Sequence, residues 1–252
     1  MKTIILAGGF GSRLDSITKI IPKPLVKVGK HPILLHILKI YLHYGYSDFI
    51  LALGYKGDKI FEYFVKKKLS QSIKKKLKKG YKISYKIDKK NCSITFIETG
   101  LNSLTGGRLK KASRLIDEED FFVTYGDGLA DINIPKLLKT HKKNKGLVTV
   151  TAVNPPARFG ELKIKKSKVL NFSEKKPIKQ SWINGGFFVM KKKFIKLIKG
   201  DKTILERDPL EKATSKRQLF AYKHDGFWQC MDTKRDKDNL TKILEHKNFF
   251  FK

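Results

Sequence analysis

Two cysteines are all that the sequence offers, Cys92 and Cys230, and neither stands in a CxxC pattern. Their scarcity excludes a disulfide framework and a cysteine-ligated zinc site, and it suits a reducing, cytoplasmic setting. Long apolar runs are also missing. None approaches the ~20 residues that a membrane helix needs, so no membrane partner is expected. The apolar run after Lys2 is short and ends in glycines, with no small-residue cleavage site behind it, which argues against a secretory leader. Of the six histidines, only His36 and His43, seven apart on a predicted helix, have any regular interval, and none has a metal-ligand spacing.

Acidic residues are the next shortage: 23 against 55 basic ones, a formal net charge of +32. Such a balance raises nucleic acid as a partner. Yet only seven of the 55 are arginine, and the 48 lysines spread over nearly every predicted helix and loop. Readers of base edges lean on the planar arginine fork. An even lysine excess reads instead as a solvated surface that attracts phosphate-rich substrates, and no nucleic-acid partner is expected.

What is present is a chain of 252 residues, enough to bury a sizeable core. Buried strands are predicted at 2–6, 48–53, 121–125 and 147–153. Helical spacing is predicted at 31–44, 58–65, 106–116 and 134–145. Residues 81–87 and 93–97 alternate and read as a hairpin. Residues 7–30 read as a long loop, and the lysine-dense stretch 66–79 as a helix end with an exposed turn. After Pro155 and Pro156 short strands dominate, at 160–164, 169–173, 185–190 and 219–224, with helices at 192–198, 209–216 and 235–246. No repeat or linker interrupts the chain. Strand–helix alternation predicts right-handed βαβ units, so the expected fold class is α/β: a single domain, residues 1–252, with a mixed, mostly parallel central sheet of Rossmann-like form.

In such a sheet ligands bind at the carboxyl ends of the strands. The first strand runs there into Gly8, Gly9 and Gly11, then Arg13, with Lys23 held between Pro22 and Pro24. The glycines let backbone N–H groups approach a phosphate. The dinucleotide fingerprint fails because Leu14 stands where its third glycine belongs, and the P-loop fails because Ser12-Arg13 replaces its GK pair. A tight turn with a solvated arginine remains an alternative. Two cations flanking one glycine loop, one of them rigidly presented, favour a fixed anion.

The combination Gly-Gly-Phe-Gly-Ser-Arg-Leu followed by Pro-Lys-Pro resembles the sugar-1-phosphate nucleotidyltransferases. The likeness continues in order through Tyr55-Lys56-Gly57, Thr105-Gly106-Gly107-Arg108-Leu109, Tyr125-Gly126-Asp127-Gly128, Arg158-Phe159-Gly160, Glu174-Lys175, Asn184-Gly185-Gly186-Phe187-Phe188 and Gly226-Phe227-Trp228-Gln229 with Met231-Asp232-Thr233. It covers roughly residues 1 to 240. The stretch TGGRLKKA most resembles the glucose-1-phosphate cytidylyltransferase branch.

That resemblance implies transfer of a cytidylyl group from CTP to glucose 1-phosphate, releasing pyrophosphate, with Mg²⁺ as cofactor. It implies a homo-oligomer whose product enters surface-glycan synthesis. Leu6, Ala7, Gly8, Gly9, Gly11, Ser12, Arg13, Thr105, Gly106, Arg108 and Gly126 would hold the nucleotide. Lys23, Gly160, Glu174, Lys175, Asn184 and Gly185 would hold the sugar phosphate. Asp127 and Asp232 would hold the metal, and Arg13 and Lys23 would be the catalytic cations. Taken singly, several of these have plainer readings. Asp127 suits a turn before glycine, and Asp232 suits an N-cap for the last helix. Arg108 suits a solvated first turn, the Glu174–Lys175 pair a solvated face, and Gly160 and Gly185 a β-bulge. Phe227 and Trp228 read as core.

Overall fold

The computed structural model describes residues 1–155, 161–173 and 181–246. Eight strands form the central sheet: β1 Thr3–Leu6, β2 Asp48–Leu53, β3 Tyr81–Ile87, β4 Lys90–Glu98, β5 Asp120–Tyr125, β6 Val148–Val153, β7 Ile183–Lys191 and β8 Leu219–His224. Their spatial order is β8-β6-β7-β5-β1-β2-β4-β3. The pairs β5–β1, β1–β2, β2–β4 and β8–β6 are parallel. β7 lies antiparallel between β5 and β6, and β3 closes the far edge antiparallel to β4. The expected mixed, mostly parallel sheet is present.

Side chains that alternate along the strands feed two cores. Ile5, Leu51, Phe96 and Phe122 pack on one face, beneath the helices Ile33–His43, Gly57–Val65 and Ile134–Asn144. Ile4, Ile50, Val123 and Phe188 pack on the other, beneath Thr105–Ala112 and Asp208–Ser215. A side chain buried this fully contributes roughly 1.5–3 kcal/mol. Both faces are covered, as a largely parallel sheet requires.

Several expectations need correction. The lysine-dense stretch holds a helix of its own, Gln71–Leu77. Ser70 caps it by accepting from the Ile73 N–H, and Leu77 anchors it in the core. Residues 7–30 contain helical turns at Ser12–Leu14, Asp15–Thr18 and Lys23–Leu25. The helix expected to end at 116 ends at Ala112 and tightens into a 3₁₀ turn, Ser113–Leu115. Strands Glu161–Lys165 and Lys168–Ser173 stand apart from the main sheet as a ribbon of their own. A second ribbon pairs Gly128–Ala130 with Trp228–Cys230, strands too short for periodicity to detect.

Candidate functional site

The carboxyl ends of β1, β2, β4 and β5 open on one rim. There a cavity of about 810 Å³ is lined by Leu6 at the end of β1, by Ala7, Gly8, Gly9, Gly11, Ser12, Arg13 and Lys23 from the opening loop, by Thr105 and Arg108 from the helix after β4, and by Tyr125 at the end of β5 with Gly126 and Asp127 beyond it. A smaller pocket shares Tyr125 and Asp127 with it and adds Asn184, Gly185 and Trp228. Gly160, Glu174 and Lys175 lie outside the described residues.

At one end of the cavity charge is concentrated. Pro22 leads Lys23 into its short 3₁₀ turn, which turns the side chain inward until it is 11% exposed. Its ammonium donates to Asp127 Oδ2 at 2.6 Å and to Asp232 Oδ1 at 2.8 Å. Arg13 Nη1 donates to the other oxygen of Asp232 at 2.6 Å, and Arg13 is itself 73% exposed. Burial disfavours the Lys23 ammonium, but the two carboxylates outweigh burial and raise its pKa. Burial likewise opposes ionisation of Asp232, but Lys23 and Arg13 hold its carboxyl below the usual range. The neighbouring Cys230 thiol, half-buried and facing both carboxylates, is pushed up to about 12 and stays protonated.

The plain reading of Asp232 as a helix cap passes to its neighbour. Thr233 Oγ1 accepts from the Asp236 N–H at 3.1 Å, while Asp236 Oδ2 accepts from the Thr233 N–H at 2.8 Å. This capping box starts the helix Lys234–His246. Asp236 Oδ2 also accepts from the Asp232 N–H at 3.2 Å, and the Met231 N–H donates to the Asp127 carbonyl at 2.8 Å. The two acidic loops are thus tied by backbone, and both Asp232 side-chain oxygens remain turned to the cations.

Arg108 is not solvated. It is 4% exposed, and its guanidinium donates to Thr99 Oγ1 (2.8 Å) and to the carbonyls of Leu53 (3.3 Å), Gly100 (2.7 Å) and Leu101 (3.0 Å). A Cβ added to Gly8 would come within 2.5 Å of Arg108 Nη1, and one on Gly54 would also meet the guanidinium. Arg108 therefore fills the gap between two strand-end glycines and fixes the floor of the cavity. Gly54 escaped the sequence reading because a glycine after DFILAL looks like an ordinary turn. Gly106 stays outside the cavity lining. Its backbone packs on the 201–203 segment, with its N–H donating to the Thr203 carbonyl at 3.0 Å.

The opposite end of the cavity is built from hydroxyls and one carboxylate. Glu206 accepts from the Tyr125 hydroxyl, and its second oxygen accepts from Thr105 Oγ1 at 2.7 Å. Asn184 Nδ2 donates to the Tyr125 oxygen at 3.2 Å, while Asn184 Oδ1 accepts from the Gly186 N–H at 2.8 Å. β7 shifts register against β6 between Asn184 and Phe188, and Trp228 Nε1 donates to the Gly185 carbonyl at 2.7 Å. Gly185 stands at this bulge and lines the smaller pocket. Trp228 is a strut, half-buried against the core.

Asp127 and Asp232 also meet the simplest test for a hard divalent cation. Two carboxylates converge on one positive charge beside the glycine-lined cavity, and Mg²⁺ needs only one or two protein carboxylates, with substrate phosphates and water completing its shell. No group of three or more His, Cys, Asp and Glu side chains forms a further metal cluster among the described residues.

Known proteins align with this geometry. The family described as Nucleotidyl transferase matches residues 2–233. A glucose-1-phosphate cytidylyltransferase of Salmonella typhimurium is 42% identical, over 97% of this chain and 96% of its own. A probable glucose-1-phosphate cytidylyltransferase of Bacillus subtilis is 40% identical over 96% of both chains. Among solved structures, HddC from Yersinia pseudotuberculosis superposes with a TM-score of 0.70 at 25% identity, covering 96% of this chain and 99% of that one. A putative glucose-1-phosphate thymidylyltransferase from Bacillus anthracis shares the fold with a TM-score of 0.71, at 22% identity, over 99% of this chain and 97% of that one. With its matched residues running from the first strand to the capping box of the last helix, the chain belongs to the nucleotidyl transferase family.

Proposed function

We propose that this chain transfers a cytidylyl group from CTP to α-D-glucose 1-phosphate, giving CDP-glucose and pyrophosphate. The observation that carries the reading is the buried Lys23 ammonium, shared by Asp127 and Asp232 at the mouth of a glycine-lined cavity. The likeness to the cytidylyltransferases of Salmonella and Bacillus supports cytosine as the base.

An oxygen of the sugar phosphate attacks the α-phosphorus of CTP. The new P–O bond forms as the bond to the β-phosphate breaks, and pyrophosphate carries away the electron pair. The nucleophile is already an anion, so the chain needs no general base. Its task is to bring polyanions together and to stabilise charge on the phosphoryl oxygens. The N–H groups of Gly8, Gly9 and Gly11 hold the triphosphate. Arg13, exposed at the mouth, neutralises the leaving group. Lys23 has three N–H donors; two are held by Asp127 and Asp232, which leaves one for a reacting phosphate. Mg²⁺ held by the same two carboxylates would supply charge neutralisation at the phosphates. Arg108 acts beneath the nucleotide by holding Gly8 and Gly54 apart.

The reading extends to a cytoplasmic homo-oligomer whose product feeds surface-glycan synthesis. The two free thiols, Cys92 and Cys230, support a reducing setting, and sedimentation of the purified chain tests the assembly. The deciding experiment incubates the protein with glucose 1-phosphate, Mg²⁺ and CTP, UTP, dTTP or GTP in turn, and measures pyrophosphate. CTP is expected to turn over. Turnover of another triphosphate with CTP idle overturns the cytidylyl assignment.

A further inference from the structure

Glu206 carries no role so far, yet it is the one carboxylate in the cavity wall that meets no cation in the contacts described. It comes from the segment before the helix Asp208–Ser215, 81 residues from Tyr125 and 101 from Thr105. An acceptor-only group beside a site for polyanions repels its own substrates, so its placement needs a reason other than phosphate binding. Its hydrogen bonds supply one. Tyr125 donates its only hydroxyl proton to Glu206 and accepts from Asn184. Thr105 donates its only hydroxyl proton to the other oxygen of Glu206 and accepts from the Leu205 N–H at 2.9 Å. With the Tyr125 proton committed to Glu206, its oxygen faces Asn184, and that sets the Asn184 amide with Oδ1 on the Gly186 N–H. The result is one polar chain, Asn184 to Tyr125 to Glu206, met from the other side by Thr105.

We propose that Glu206 is a positioning residue that couples the two substrates from this end of the cavity, holding Tyr125 and Asn184 for the sugar phosphate and Thr105 for the nucleotide in one mutual arrangement. The inference rests on the cytidylyltransferase reading for the identity of the two substrates. Only a carboxylate, whose two oxygens are both acceptors, serves both hydroxyls at once, because a glutamine presents one acceptor and one donor. Burial and the Glu206 carboxylate both keep the Tyr125 hydroxyl protonated, as the chain requires.

The test is steady-state kinetics of Glu206→Gln and Tyr125→Phe, with CTP and glucose 1-phosphate varied separately, and thermal melting of each variant. Glu206→Gln is expected to raise both KM values about tenfold, the loss of one charge-assisted hydrogen bond beside each substrate. Tyr125→Phe keeps the ring and removes only the hydroxyl. It is expected to raise the sugar-phosphate KM about tenfold and, through the loosened carboxylate, the CTP KM about threefold. A Glu206→Gln enzyme that melts lower but keeps both KM values overturns the proposal, since Glu206 would then only brace the fold. So does a change confined to one substrate. Should Glu206→Gln not fold, Tyr125→Phe decides alone: a CTP KM that stays at the parental value overturns the bridge. A parent protein idle with CTP and glucose 1-phosphate sinks the functional reading instead, a result visible before any variant is made.

Discussion

The two ends of the cavity are made from different chemistry. One end gathers Lys23, Arg13, Asp127 and Asp232, four formal charges that cancel in sum. The other end gathers Tyr125, Thr105 and Asn184 around a single carboxylate. The charged end is suited to the step in which phosphoryl charge builds up, because fixed charges in a part-buried site act with little reorganisation. The hydroxyl-rich end is suited to orientation, because hydrogen bonds are directional but individually modest. Substitutions at the charged end should therefore lower turnover, and those at the hydroxyl-rich end should weaken binding.

The largest effect is expected from Lys23→Met. It removes a catalytic cation and leaves Asp127 and Asp232 facing each other, partly buried. Turnover should fall by about 10³-fold or more, and stability by about 3 kcal/mol, the cost of an uncompensated buried charge. Pyrophosphate release and urea unfolding read the two effects. A stable, active variant breaks the comparison at its strongest point.

Arg13→Ala comes next. Arg13 bonds the same aspartate, but its 73% exposure makes the pair a weak contributor to stability. A loss of about 10²–10³ in kcat with a nearly unchanged melting temperature is expected. A variant that loses stability but keeps its turnover contradicts the division of labour. Tyr125→Phe, at the hydroxyl-rich end, should cost about tenfold and mainly in KM. A kcat collapse there would erase the distinction between the ends.

Smaller effects sharpen the picture. Thr233→Ala removes the capping hydroxyl behind Asp232 and should lower stability by about 1 kcal/mol, read by urea unfolding. Activity should follow only as far as the Asp232 backbone loosens. The least effect concerns His224, whose Nε2 lies 3.0 Å from Asp131 Oδ1 and 3.1 Å from the Phe227 carbonyl. Burial lowers its pKa, but Asp131, the Phe227 carbonyl and Asp225 outweigh burial and raise it. A pKa raised on folding stabilises below the unfolded value of about 6.5, and the contribution fades as pH rises through the folded value. The stability gap between the parent and His224→Gln should thus be wider at about pH 5.5 than at about pH 8.5. An equal or reversed gap contradicts that linkage.

The same contrast explains what the sequence revealed. The charged end was legible because its residues sit in short, distinctive runs: glycines, Arg13 and the Pro-Lys-Pro turn beside one predicted strand, and Asp127 directly after another. Patterning along FFVTY and DFILAL showed the strands because both faces of the sheet are covered and the runs are continuously apolar. The hydroxyl-rich end was only half visible. Tyr125 and Asn184 stand in recognisable motifs, but Glu206 lies in KTILERDPL with no spacing to any partner, and it reaches the cavity through tertiary packing alone. Gly54 and Arg108 teach a related lesson: the arginine was expected at the nucleotide, with a solvated turn as its plainer reading, and only its insertion between two glycines shows why neither strand end can carry a side chain. The Gln71–Leu77 helix was hidden by its lysines, since one buried leucine and a serine cap anchor what composition presents as polar surface.

The account rests on positive charge arranged around two carboxylates. The most direct measurement is pyrophosphate release by the Asp127→Asn, Asp232→Asn double variant, with CTP, glucose 1-phosphate and Mg²⁺. The account predicts a rate lower by about 10³-fold or more. A double variant that releases pyrophosphate at the parental rate contradicts it.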